Sequence, residues 1–379
     1  MKVLCIIGTR PEAVKLAPVV LRLQQVHVAG NGAPVKVCAT GQHREMLDQV
    51  LSLFRIRPDL DLHLMSPDQT VADLTGRAVT ALHRAVRDAR PDAVLVQGDT
   101  TTAMTGALAA FYCKVPVGHV EAGLRTGDRY SPFPEEANRR IISTLATWHF
   151  APTRRAADAL RSEGIAPSSV FVTGNTAIDA LLWVLSRLPR RRRSFKQNGG
   201  RLLLVTAHRR ENLGPALERI CMAIKEICRR NPDVSVLYPV HLNPNVRRPV
   251  TARLGGLDRV TLCRPLGYRD FVGAMQEAHL ILTDSGGVQE EAPSMGRPVL
   301  VLRDETERPE AVEAGAAKLV GTEVDRIVDE TQKLLDDGEK YRRMATRVNP
   351  FGDGHAAERI VEILVHELSV ERTVRVGFS

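Results

Sequence analysis

The sequence predicts an α/β protein of two domains, each a parallel sheet wound on both faces by helices, the two facing one another across a cleft. Three observations carry this expectation. The chain has 379 residues, too many for one ordinary hydrophobic core. Short β-branched runs alternate with helical stretches almost throughout. The chemistry-bearing residues gather in the turns that follow those runs, where open parallel sheets hold their ligands.

The runs are "KVLCIIG", "AVLVQGD", "PVGHVEAG", "LLLVTAH", "VSVLYPV", "LILTDSGG" and "PVLVLR". "NTAIDALLWVLSRLP" reads as a connecting helix, and the arginine run at 190–193 with "QNGG" as a solvated linker after it. The domains are therefore expected over residues 1–175 and 176–354, with a helix at 355–379. An apolar fraction of 44% and a charged fraction of 25% are those of a soluble globular chain. No apolar run approaches the roughly 20 residues of a membrane span. The N-terminal stretch lacks a cleavage signature, so a cytoplasmic location is expected. The six cysteines (Cys5, Cys38, Cys113, Cys221, Cys228 and Cys263) show neither a C-x-x-C pair nor a metal spacing and read as reduced core residues. The net charge of +8 favours anionic partners. With only 4% aromatic residues there are few stacking platforms for nucleic acid. No membrane partner is expected.

The strand-end turns divide by chemistry. In "GTRPEAVK", Thr9 and Glu12 form a capping box and Pro11 suits the first helical turn, which places Arg10 at a helix N-terminus, a natural anion site. "VQGDTTTAM" ends in Asp99, either a helix cap or a functional acid. "VEAGLRTGDRYSPFPEEANRR" sets Glu121 at the end of an apolar run and Glu135 and Glu136 behind a Pro-Phe-Pro clamp. In the second half, "VTAHRREN" puts His208 and two arginines at a strand end, and "YPVHLNPNVRRP" adds His241. "TDSGGVQEEAPSMG" brings Ser285, Gly286 and Gly287 to a helix start, with Glu291 one turn on, the pattern of a diphosphate turn with an acid for ribose hydroxyls. "RDETERPEA" sends Arg308 into another helix start, flanked by acids. Neither G-x-G-x-x-G nor a P-loop motif occurs. Carboxylates repel phosphate, so those of the first half suit proton transfer on the non-phosphate part of a nucleotide-linked substrate.

Read as a set, "GTRPEAVKLAPV", "TGQHREMLDQVL", "GDTTTAM", "GHVEAGLRTGDRYSPFPEEANRR", "VTAHRREN", "YPVHLNPNVR", "LTDSGGVQEEAPSMGRPVLVLRDETERPEAV" and "GDGHAAERI" closely resemble the bacterial non-hydrolysing UDP-N-acetylglucosamine 2-epimerases. The likeness runs from the first strand to the last helix. It implies two Rossmann-like domains of the glycosyltransferase-B-like fold, a last helix that crosses back to the N-terminal domain, and a homodimer. It also implies interconversion of UDP-N-acetylglucosamine and UDP-N-acetylmannosamine for cell-envelope polysaccharide, with no redox cofactor and no metal. By the same resemblance Asp99, Glu121, Glu135 and His208 stand at catalytic positions. Arg10, Lys15, Phe271, Ser285, Gly286, Gly287, Glu291 and Arg308 stand at UDP-binding positions. Gln42, Gln69, Arg210 and His241 match a second, regulatory UDP-N-acetylglucosamine site. Leu266 departs from the pattern, since some members carry Gln there near uracil. The competing readings are a UDP-sugar glycosyltransferase of the same fold, which needs an acceptor site, and a hydrolysing epimerase that releases free N-acetylmannosamine. A silent UDP-sugar sensor leaves the acid set unexplained.

Overall fold

The computed structural model describes residues 1–26, 35–41, 44–66, 69–189, 195 and 200–377. The arginine run at 190–193 and Gln42 lie outside them. The chain divides into two compact units, Met1–Trp183 with Gly352–Ser379, and Val184–Phe351.

The first unit holds β1 (Val3–Ile7), β2 (Val35–Ala39), β3 (Leu60–Asp61), β4 (Ala93–Gln97), β5 (Val117–Val120), β6 (Trp148–Ala151) and β7 (Val170–Val172). They form one sheet in the order β3-β2-β1-β4-β5-β6-β7, and every pairing is parallel. All five residues of β1 are fully buried, as a strand covered on both faces requires. Leu4, Ile6, Val94 and Val96 pack with Leu82 and Val86 of the helix Val71–Ala89 and with Ala103 and Ala107 of the helix Thr101–Tyr112. That last helix approaches the sheet closely because its residues are small. A Cβ on Gly106 would stand 3.0 Å from Ile6 Cδ1 and 3.1 Å from Val96 Cγ1.

The second unit holds β8 (Arg201–Thr206), β9 (Val234–Pro239), β10 (Val260–Cys263), β11 (Leu280–Thr283), β12 (Val299–Val301) and β13 (Ala317–Leu319). Its sheet has the order β10-β9-β8-β11-β12-β13 and is again all parallel. Leu203, Val205, Val236 and Leu282 pack with Ile220, Ile224 and Ile227 of the helix Pro215–Arg230. Each such side chain contributes roughly 1.5–3 kcal/mol on burial. Tyr238 is fully buried and satisfies its hydroxyl by donating to Ala207 O at 2.9 Å.

The seven runs read from sequence are β1, β4, β5, β8, β9, β11 and β12. Of the six strands beyond them, β3, β7, β10 and β13 are edges, two to four residues long and partly exposed, with too little apolar pattern to signal a strand. The "NTAIDALLWVLSRLP" stretch is the helix Thr176–Leu185. The units divide inside it, between Trp183 and Val184. Asp179 on this helix accepts from Ala356 N at 3.2 Å and Ala357 N at 2.8 Å and so caps the last helix, Ala356–Gly377. That helix packs on the helix Arg10–Gln25, where Arg22 donates to Glu358 at 2.7 Å. All six cysteines are free thiols; four are buried and Cys113 and Cys263 partly so. No helix among the described residues is long and apolar enough to cross a membrane.

Replacing Asp179 with Ala strands two backbone N–H groups at a buried helix start. We expect Asp179→Ala to lower stability by about 1–2 kcal/mol in urea unfolding; an unchanged midpoint would show that the cap is dispensable.

Candidate functional site

Both sheets change winding direction at one point, between β1 and β4 in the first and between β8 and β11 in the second. Turns leaving such neighbouring strands diverge and leave a crevice between them. The functional side chains collect at these two places.

In the first unit, Thr9 caps the helix Arg10–Gln25 and Glu12 completes the capping box, as expected. Arg10, half-buried, is the first helical residue. Glu12 does more than cap. It is fully buried, accepts from Gly8 N at 3.0 Å and Thr9 N at 2.5 Å, and takes the Thr100 hydroxyl at 2.6 Å on its other oxygen. It thereby ties the β1 turn to the β4 turn. Thr100, not Asp99, caps the following helix, through Ala103 N at 3.0 Å. This leaves the Asp99 carboxylate for Arg139, which donates to it. Asn138 Nδ2 holds the Asp99 carbonyl at 2.9 Å.

Glu121 follows β5 directly. Gly98 N donates to Val120 O at 3.0 Å, so the turns carrying Asp99 and Glu121 lie side by side. Glu121 has a left-handed backbone, φ +66°, which costs a residue with a Cβ on the order of 1 kcal/mol and marks a held conformation. Its carboxylate is paired with Lys15 Nζ, and the two side chains are only 8% and 13% exposed. Lys15, placed at a UDP position by resemblance, thus stands in the acid cluster of its own unit. Behind the loop with its two cis peptide bonds, Ser131–Pro132 and Phe133–Pro134, begins the helix Glu135–Leu145. Glu135 heads that helix, and its buried Oε2 has no hydrogen-bond partner among the described residues. Glu136 is fully buried and structural. It accepts from Thr126 N at 3.2 Å and Arg139 Nη1 at 3.0 Å. Arg139 is therefore a fork that fixes Asp99 against the base of the Glu135 helix. His119, also buried, donates from Nε2 to Gly98 O at 2.7 Å. Burial pushes its imidazole down to about 3, so it is neutral and supports the Asp99 turn without charge.

In the second unit, His208 and Arg209 follow β8, and Asp284, Ser285 and Gly286 follow β11. Ser285 N donates to Thr283 Oγ1 at 3.0 Å, and the helix Gly286–Glu291 begins at once. A Cβ on Gly286 would stand 3.6 Å from both Arg209 Nη2 and Arg308 Cζ, whereas Gly287 faces open space. Two guanidinium groups therefore converge on the glycine turn. Arg308 Nε donates to the buried Glu290. Arg209 donates to Glu307 at 2.8 Å. Burial alone would raise the Glu307 carboxyl, but Arg303 and Arg209 bring it down to about 2. Of the acids that flank Arg308 in sequence, Glu307 pairs with Arg209 and Arg303, while Arg308 pairs with Glu290 of the glycine-turn helix; these pairings orient the guanidinium groups. Glu291 is buried at the end of its helix and accepts the Tyr268 hydroxyl at 2.8 Å. Phe271 is half-buried in the helix Tyr268–Glu277.

Of the regulatory positions, His241 stacks on His208 with ring centroids 5.5 Å apart and planes at 11°. Partial burial, then the neighbouring His208, hold its imidazole below the usual value. Arg210 is exposed and opens a 3-10 turn. Gln69 belongs to the first unit, where its amide oxygen accepts from Ser66 N at 3.1 Å and from Arg77. Sequence reasoning missed Arg139, His119 and Asp284, and saw in Glu12 only a cap. Their own neighbours in sequence carry no signal for these contacts, which join turns 21–88 residues apart.

A family model described as UDP-N-acetylglucosamine 2-epimerase matches residues 28–365. A relative of that name from Yersinia pestis is 51% identical over 373 residues, covering 96% of this chain and 98% of the relative. The crystal structure of a UDP-GlcNAc 2-epimerase from Neisseria meningitidis bound to UDP-GlcNAc superposes with a TM-score of 0.90 at 50% identity, over 97% of this chain and all (100%) of that one. The Methanocaldococcus jannaschii UDP-GlcNAc 2-epimerase in complex with UDP-GlcNAc and UDP gives a TM-score of 0.82 at 34% identity, covering 97% and 100%.

Two predictions test the first cluster. Glu136→Ala removes one of the two carboxylates on Arg139 and the acceptor of Thr126 N while Asp99 remains, and we expect a loss of about 1–3 kcal/mol in chemical unfolding. Glu12 gives a pH signature, since burial pushes its carboxyl up from 4.5 to about 7. A folded value above the unfolded one contributes stability that is complete below about 4.5 and lost as pH rises through about 7. Relative to Glu12→Gln, the native protein should lose on the order of 3 kcal/mol across that window, measured by urea unfolding at a series of pH values. Parallel curves for the two proteins would contradict it.

Proposed function

Since the chain belongs to the UDP-N-acetylglucosamine 2-epimerase family, we propose that it interconverts UDP-N-acetylglucosamine and UDP-N-acetylmannosamine by elimination of UDP and re-addition with inversion at C2. The observation that carries this reading is the acid set at the ends of β4 and β5. Asp99 and Glu121 sit on adjoining turns, and Glu135 heads the helix whose Arg139 holds Asp99. Such carboxylates repel phosphate and suit proton transfer.

The C2 hydrogen of the sugar is not acidic beside a saturated carbon. As the C1–O bond to UDP breaks, C1 becomes electron-poor and a carboxylate takes the C2 proton. The C2–H electron pair forms the C1=C2 bond of 2-acetamidoglucal, and UDP departs with the C1–O pair. Re-addition of UDP at C1, with protonation of C2 from the opposite face, gives the epimer. Two faces need proton carriers, which accounts for more than one acid among Asp99, Glu121 and Glu135. His208 meets the charge developing on departing UDP. By the family resemblance Ser285, Gly286, Gly287 and Arg308 hold the diphosphate, Glu291 the ribose and Phe271 the uracil side, and Arg10 and Lys15 also stand at UDP-binding positions. The enzyme works without a redox cofactor or metal, as a cytoplasmic homodimer that supplies N-acetylmannosamine for envelope polysaccharide. By the same resemblance Gln42, Gln69, Arg210 and His241 stand at positions of a second UDP-N-acetylglucosamine site that activates turnover.

Purified protein incubated with UDP-N-acetylglucosamine in D₂O, followed by proton NMR, should lose the C2 proton signal while a UDP-N-acetylmannosamine signal grows. Free N-acetylmannosamine in its place would mean hydrolysis, and an intact, undeuterated substrate would remove the epimerase reading. Asp99→Asn, Glu121→Gln and Glu135→Gln should each lower kcat by about 10²–10⁴-fold. UDP-N-acetylmannosamine alone should turn over slowly until UDP-N-acetylglucosamine is added; equal initial rates would remove the activating site.

A further inference from the structure

We propose that Asp284 is the positioning residue of His208, fixing the ring so that Nδ1 carries the proton and Nε2 is presented to the reacting phosphate oxygen. The inference rests on the reading of His208 as the group that meets departing UDP.

Asp284 follows β11 directly, beside the glycine turn, and is fully buried. One of its oxygens, Oδ2, accepts from His208 N at 2.7 Å, Arg209 N at 2.8 Å and Asn212 Nδ2 at 3.1 Å. That oxygen alone shapes the turn after β8. The other, Oδ1, is buried, has no hydrogen-bond partner among the described residues, and faces His208 Nδ1 at 3.4 Å. An acceptor excluded from water and left unpaired is destabilising, so its retention calls for a reason. An aligned Nδ1–H would satisfy it. Contacts of this kind are often loose in unliganded sites and tighten when substrate binds. His241 lies nearly parallel to the His208 ring, with centroids 5.5 Å apart. Which ring atom then points at Asp284 is decided by the carboxylate. A carboxylate accepts only, so it selects the neutral tautomer protonated on Nδ1; once Nε2 takes up a proton from solvent, the carboxylate stabilises the resulting cation, and the Nε2–H is the donor to the departing UDP oxygen.

Asp284→Asn isolates this contact. The amide oxygen can keep the three bonds made by Oδ2, while the NH₂ turns toward His208 and selects the opposite tautomer. We expect kcat to fall about 10²-fold or more, as tautomer inversion does in catalytic triads, with KM for the UDP-sugar little changed. Added to His208→Asn, the same substitution should have no further effect, since Asp284 acts through a ring that is gone. The tautomer is read directly from ¹⁵N NMR of histidine-labelled protein, with His208→Asn assigning the signal. Unsubstituted protein should show Nδ1–H, a measurement that needs no variant at Asp284 to fold. An Nε2–H ring in the unsubstituted protein overturns the proposal, as does a full multiplicative loss from Asp284→Asn in the His208→Asn background. If His208→Asn leaves kcat unchanged, the role given to His208 fails, and the NMR tautomer still decides whether Asp284 sets the ring.

Discussion

Strands that all run one way deliver their carboxyl ends to one edge of the sheet, and every functional position in this chain depends on that constraint. In the first unit it brings the turns after β1, β4 and β5 together, and in the second the turns after β8 and β11. The strands themselves carry no chemistry. They are buried apolar rods whose packing makes their ends rigid, so a turn of a few residues can hold a carboxylate or a guanidinium in a fixed place.

Charge is handled alike in both units. Asp99, Arg308 and Arg209 are each backed by an oppositely charged side chain that is largely withdrawn from solvent. Arg139 stands behind Asp99 with Glu136 behind it, and Glu290 and Glu307 stand behind Arg308 and Arg209. Such pairs add little net stability once desolvation is counted, yet removing one partner is severe. Their physical effect is orientation. The groups so paired are held by bonds, which leaves them little conformational freedom to lose.

The neutral groups matter as much. His119 stays uncharged because burial disfavours its cationic form, and so it can support Gly98 without repelling Arg139. Glu121 is held in a left-handed conformation beside Gly123, whose own Cβ would collide with Ala156 O at 2.1 Å. The loop is therefore shaped by close approach of backbone, and the acid is presented by that shape.

By itself the sequence determined the α/β alternation, seven of the strands, the Thr9–Glu12 capping box, the glycine turn at Ser285 and the strand-end location of Asp99, Glu121 and His208. These follow from local periodicity and turn chemistry, which a few consecutive residues suffice to specify. The tertiary structure alone decided which side chains back them. The Asp99–Arg139 pair spans 40 residues, the Asp284–His208 contact 76 and the Glu12–Thr100 bond 88. No local pattern encodes such pairings. They exist because strand order places β1 beside β4 and β8 beside β11, and that order is set by the burial of whole helices against both faces of a sheet.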